Sequence, residues 1–248
     1  MVIDHLFKAV NFGLSDETQV LLLMIGRMAF PFFAWELVEC FHFTKNKWKH
    51  LFSIGLLAAI SEIPYDRAIR NSWFDWNRQN ICLTLFLSWL MLMLLHADWN
   101  KIYTNLGMAK DTKLKRAFAK MSGLSMAAPI MWVAGKTQAD YVWWGIGFVL
   151  LLDFAHSRKF RKVWEFITIV TYIGCMGLED SIMKMVYMPC FFCLIFMWLA
   201  ELDAKKPQKK NELVSKMLLS KTSKTICRYF YPAHLIILLI LKGVLHQL

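Results

Sequence analysis

Residues 80–96 read N-I-C-L-T-L-F-L-S-W-L-M-L-M-L-L-H, and this run decides the class of fold. It is apolar around the whole helical circumference, whereas a helix on the surface of a soluble domain keeps a polar face. A helix rises 1.5 Å per residue and needs about 20 residues to cross about 30 Å of hydrocarbon. Runs of this kind recur along the chain, at residues 1–14, 18–43, 48–65, 80–96, 117–135, 141–155, 163–178, 182–202 and 229–247. The expectation is all-α: a polytopic transmembrane helix bundle of about nine membrane helices in a single membrane domain over residues 1–248. The first run is too short to span by itself. That leaves two alternatives, a helix beginning inside the membrane or a start upstream of Met1.

Composition agrees with this reading. The chain is 57% hydrophobic and 19% charged, with mean hydropathy +0.40. A soluble domain is about 45–50% apolar and about 25% charged. The 11 Trp and 7 Tyr suit two membrane interfaces, where amphipathic rings settle. The net charge of +11 sits mainly between the runs, at 45–49, 110–120, 158–162 and the basic segment 204–228. Basic loops beside apolar runs mark cytoplasmic flanks and argue against nucleic acid as the partner. The segments after the second, fourth, sixth and eighth runs are therefore predicted cytoplasmic. A bacterial inner membrane and an external C-terminus follow.

Most cysteines fall inside apolar runs, and no disulfide framework is implied. Cys190 and Cys193 form a C-x-x-C, read as small buried helix residues rather than a redox or metal pair. No H-x-x-x-H spacing is present and no metal is expected; P-loop, Rossmann and nucleophile-elbow patterns are absent too.

Charges inside hydrocarbon cost at least ~2.5–3.5 kcal/mol each, so they face the bundle interior, pair, or line a wet cavity. Asp4, His5 and Arg27 fall roughly 14 Å from the outer surface, and a hairpin of the first two helices brings them level. The bland alternative is an Asp4–Arg27 pair that only locks two helices. Glu62 and Asp66 are four apart around Pro64, which presents two carboxylates on one face of a broken helix. Asn80 opens the next run at the same level. Glu36 and Glu39 are expected to meet lysines at the membrane edge, and Asp153 with His156 to anchor an interface beside Arg158. His234 follows Tyr231-Pro232, where the proline predicts a break.

These residues also carry a resemblance. Met1-Val2-Ile3-Asp4-His5 resembles the M-x-I-D-H stretch of TraX-family proteins, and Gly26-Arg27-Met28-Ala29-Phe30-Pro31-Phe32-Phe33-Ala34 their G-R-x-A-F-P-x-F-A segment. Glu62-Ile63-Pro64-Tyr65-Asp66 is similar to a further E/Q-I-P-[YF]-D element, 80–85 to N-x-x-x-T-L, and Tyr231-Pro232-Ala233-His234 to a terminal Y-P-x-H. The middle of the chain matches in hydropathy alone. The family is named for a protein that N-acetylates conjugative pilin subunits, and it resembles the wider membrane acyltransferases. The resemblance implies acetyl-CoA as acyl donor and a protein, peptide or glycan acceptor. It points to His5, Asp4 and Arg27 as catalytic, with Arg27 also on the cofactor, and to Glu62, Asp66, Asn80, Tyr231 and His234 as substrate-binding. A transporter of a small charged solute and a non-catalytic assembly factor are the alternatives.

Overall fold

The computed structural model describes residues 2–9, 14–106, 118, 121–177, 185–205 and 221–245. The basic stretch 110–117, the acidic pair at 179–180 and most of the linker at 204–228 lie outside these residues. Eleven helices are labelled here: α1 (Val2–Ala9), α2 (Asp16–Arg27), α3 (Ala29–Phe43), α4 (Lys47–Tyr65), α5 (Ile81–Leu95), α6 (Trp99–Asn105), α7 (Ala127–Lys136), α8 (Val142–His156), α9 (Arg161–Met176), α10 (Cys190–Lys205) and α11 (Lys221–Leu245). A π turn, Asp66–Arg70, continues α4. Among the described residues no strand forms; the one extended contact is an isolated bridge between Gln79 and Ala139.

Two helical stretches are long and apolar enough to cross a membrane, Asp16–Phe43 and Met185–Leu202. A third is the pair α5 and α6, if counted as one span despite its 62° bend. The run at 18–43 is two helices meeting at Met28. Pro31 has no N–H to return to the Arg27 carbonyl four residues back, and Cys190 Sγ takes that place at 3.7 Å. Cys193 Sγ bonds the Met28 carbonyl at 3.3 Å. The C-x-x-C is thus a pair of free, buried thiols that hold α10 to the α2–α3 joint, as expected of small helix residues. Pro64 and Pro232 lie inside α4 and α11 without ending them. At Pro232 this corrects the expected break: packing of α11 on α1 and α4 outweighs one lost bond.

α8 is the centre of the bundle, packed against α3, α5, α7 and α9. Gly145 lets it approach: a Cβ there would lie 2.8 Å from Thr84 Cγ2 and 3.2 Å from Phe30 Cζ. Gly145→Ala is expected to cost about 1–3 kcal/mol by overpacking, read as an earlier thermal transition of the purified protein.

The molecule is polar within and apolar without. Phe52, Leu56 and Ile60 of α4, Ile195 and Leu199 of α10, and Ile237 and Ile240 of α11 are exposed. His5, Glu62, Asp66, Asn80, Asp153, Glu165 and His234 are buried. Apolar outer faces on this scale need an apolar surrounding. The ionisable residues gather at two ends. Residues 62–80, 139–141 and 231–234 with α1 make one; the C-termini of α3, α5 and α8 with the start of α9 make the other.

Candidate functional site

α1 lies against α2, α11 and the π turn, which carries His5 to His234. His5 Nδ1 and His234 Nε2 are 3.0 Å apart, with the rings stacked at 5.3 Å. Tyr65 and Tyr231 stand edge-on to His5, each ring centroid 5.9 Å away. The two histidines are 4% and 5% exposed, so neither is washed by bulk solvent. The proton positions follow from the partners. His234 Nδ1 is 2.9 Å from the Phe230 carbonyl, which only accepts, so Nδ1 carries the hydrogen. In the neutral ring Nε2 then accepts, His5 Nδ1–H donates to it, and His5 Nε2 becomes the basic nitrogen. The hairpin expected to join Asp4, His5 and Arg27 is replaced by a contact between the two ends of the chain. The Asp4 side chain lies outside the described part of the structure.

The carboxylates stand beside this pair. Glu62 Oε2 accepts from the Asn80 backbone N–H at 3.3 Å and from the Asn80 amide. The same amide donates to the Ala58 carbonyl at 2.9 Å, and Asn80 Oδ1 caps α5 by accepting from Cys82 N at 2.8 Å. Asn80, expected to bind substrate, is here the residue that positions Glu62 and starts a helix. Asp66 Oδ2 accepts from Asp75 N at 2.7 Å; burial pushes its carboxyl pKa up, against that bond. Among the described residues Glu62 Oε1, Asp66 Oδ1 and the Tyr231 hydroxyl are buried with no hydrogen-bond partner. Such atoms each cost about 1–3 kcal/mol and are what a polar substrate would satisfy. The π turn keeps its own shape through Lys242 of α11, whose Nζ donates to the Ala68 carbonyl at 2.8 Å.

Arg27 sits on the other side of residues 140–141. It lies over the Tyr187 ring at 5.7 Å and bonds the Tyr141 hydroxyl. Asp140 is within Coulombic range of Tyr65, Tyr231 and Tyr141 and links the Arg27 side to the histidine side. Its backbone is held by Thr84 Oγ1, which donates to the Asp140 carbonyl. Asp140, Tyr141 and Tyr65 were missed as site residues; only the fold brings the start of α8 to this end.

The opposite end corrects two expectations. Asp153 is 5% exposed and does not anchor an interface with Arg158. It receives His42 Nε2 at 2.8 Å and His96 Nε2 at 2.9 Å, while Arg158 lies over Phe154. Glu39 meets no lysine among the described residues; it pairs with His156 at 3.1 Å and with Arg161. Arg161 also bonds Glu165 at 2.8 Å and Glu201 at 2.9 Å. Burial alone would lower its pKa, but these carboxylates outweigh that and raise it, so it stays a cation.

A helical chain with apolar outer faces and a sealed cluster of histidines, carboxylates and an arginine is of the integral-membrane class. Within that class it belongs to the TraX family: the family model described as TraX protein matches residues 1–242. No curated protein and no solved structure matches the chain.

Proposed function

We propose that this protein is an integral-membrane acetyltransferase. It moves an acetyl group from cytosolic acetyl-CoA to an amine or hydroxyl of an exported or membrane-associated acceptor, a pilin-like protein, peptide or glycan. The buried His5–His234 pair is the observation that carries the reading, and membership of the TraX family is consistent with it. The bilayer is that of a bacterial inner membrane, crossed about nine times. The basic segments, beside the end where His42 and Asp153 meet, face the cytoplasm, and the C-terminus is external.

His5 Nε2 takes the proton of the acceptor nucleophile as its N or O attacks the thioester carbon, while His234 holds the imidazole in the needed tautomer. Asp4, on the same turn of α1, stabilises the imidazolium that forms. The negative charge on the thioester oxygen is met by a fixed donor or cation, for which Arg27 and the Tyr231 hydroxyl are placed. Collapse of the tetrahedral intermediate expels the CoA thiolate, which recovers the proton from the His5 imidazolium. The free oxygens of Glu62 and Asp66 bind the acceptor, favouring a cationic amine. Alternatively His5 Nε2 carries the acetyl group transiently.

Arg27→Ala is expected to weaken acetyl-CoA binding by about tenfold or more, ~1.4 kcal/mol, in equilibrium dialysis of nanodisc-embedded protein. Wild type that binds no acetyl-CoA in this assay would refute the reading.

A further inference from the structure

At the end of the bundle remote from His5, three helix termini deliver potential ligands to one point. His42 is the penultimate residue of α3, His96 follows α5, and Asp153 lies in the last turn of α8. His42 Nε2 is 2.8 Å from Asp153 Oδ1, and His96 Nε2 is 2.9 Å from Oδ2 and 3.1 Å from Oδ1. All the candidate ligand atoms lie within 4.8 Å of one another. An ion bound tetrahedrally at about 2.0–2.1 Å holds its ligand atoms about 3.3 Å apart. The observed separations need only a few tenths of an ångström of opening.

We propose that His42 Nε2, His96 Nε2 and an Asp153 carboxylate oxygen form a binding site for a divalent transition-metal ion of the zinc type. Two imidazoles and one carboxylate are a borderline donor set, suited to zinc, and they leave a fourth position for water or another ligand. That position opens at His96, whose side chain is 39% exposed against 7% for Asp153. A groove of about 590 Å³ runs past His96 between Lys47, Trp48 and Leu94 and gives the ion an entry path. The ligands are held from outside the cluster. The His156 ring stacks on His42 at 4.2 Å and is itself fixed by Glu39, and Phe41 packs on His96. Each imidazole must offer its Nε2 lone pair, so the Nε2 proton that otherwise points at Asp153 moves to Nδ1 or to solvent. The ion ties α3, α5 and α8 together at this end of the bundle. It is independent of acyl transfer at His5.

The test is titration of chelator-stripped, nanodisc-embedded protein with Zn²⁺ against a fluorescent zinc indicator, with Co²⁺ absorption reporting coordination. Wild type is expected to bind one equivalent with micromolar or tighter affinity, and zinc to raise its thermal midpoint. His96→Ala removes a part-exposed ligand that the fold tolerates; Asp153→Asn keeps the carboxylate's shape. Each is expected to weaken binding at least about tenfold and to abolish the shift, while His156→Gln retains both. No stoichiometric binding by wild type, or equal affinity in His96→Ala, would overturn the proposal.

Discussion

Replacing His5 by alanine is expected to lower acetyl transfer by about 10²–10⁴-fold, the usual contribution of a positioned general base. The substitution also empties a space between Tyr65 and Tyr231 and strips His234 Nε2 of its partner. That structural loss is on the order of 1–3 kcal/mol, so lost activity in His5→Ala alone does not isolate the chemistry. His5→Asn separates the two effects. Its amide fills part of the space and can still donate to His234 Nε2, yet it cannot take a proton. The thermal midpoint should return most of the way to wild type in His5→Asn while transfer stays at the alanine level. Recovery of transfer along with stability would assign His5 to packing.

Arg161→Ala should be the most destabilising single change at the other end, by about 3–5 kcal/mol. The guanidinium is shared by Glu39, Glu165 and Glu201. Glu165 is 1% exposed and would retain only the Trp198 indole N–H, 3.0 Å away. The loss comes from stranding a buried carboxylate rather than from the pair itself, since the charges were already taken from solvent on folding. For a chain of this size the thermal midpoint should fall by on the order of 10 °C, measured by unfolding in one detergent throughout. Arg161→Lys should fall between, because an ammonium cannot offer the planar fork that reaches several carboxylates at once. Arg161→Ala together with Glu165→Leu should recover part of the loss, and no recovery would contradict the stranded-charge account.

The parts of the fold written in local periodicity were legible. Residues 48–65, 80–96 and 141–155 correspond within a residue or so to α4, α5 and α8, because a helix apolar all round has no competing local reading. Residues 18–43 concealed the joint at Met28, whose geometry depends on thiols more than 160 positions away. At the site, His5, Glu62, Asp66, Tyr231 and His234 stood out as polar residues in apolar runs, and the structure groups them at one end. Their partners were not legible: the His5–His234 contact joins the two ends of the chain. His42, His96 and Asp153 went unassembled for the same reason. Metal-ligand motifs are recognised by short spacings on one element, and these ligands come from three helices.

The central claim is acetyl transfer at the His5–His234 pair. It is tested most directly by incubating nanodisc-embedded protein with radiolabelled acetyl-CoA and following label released or passed to acceptor, wild type beside His5→Ala. The account predicts turnover by the wild type and loss of nearly all of it in the variant; equal turnover by the two, or none by wild type with no acetyl-CoA bound, would contradict it.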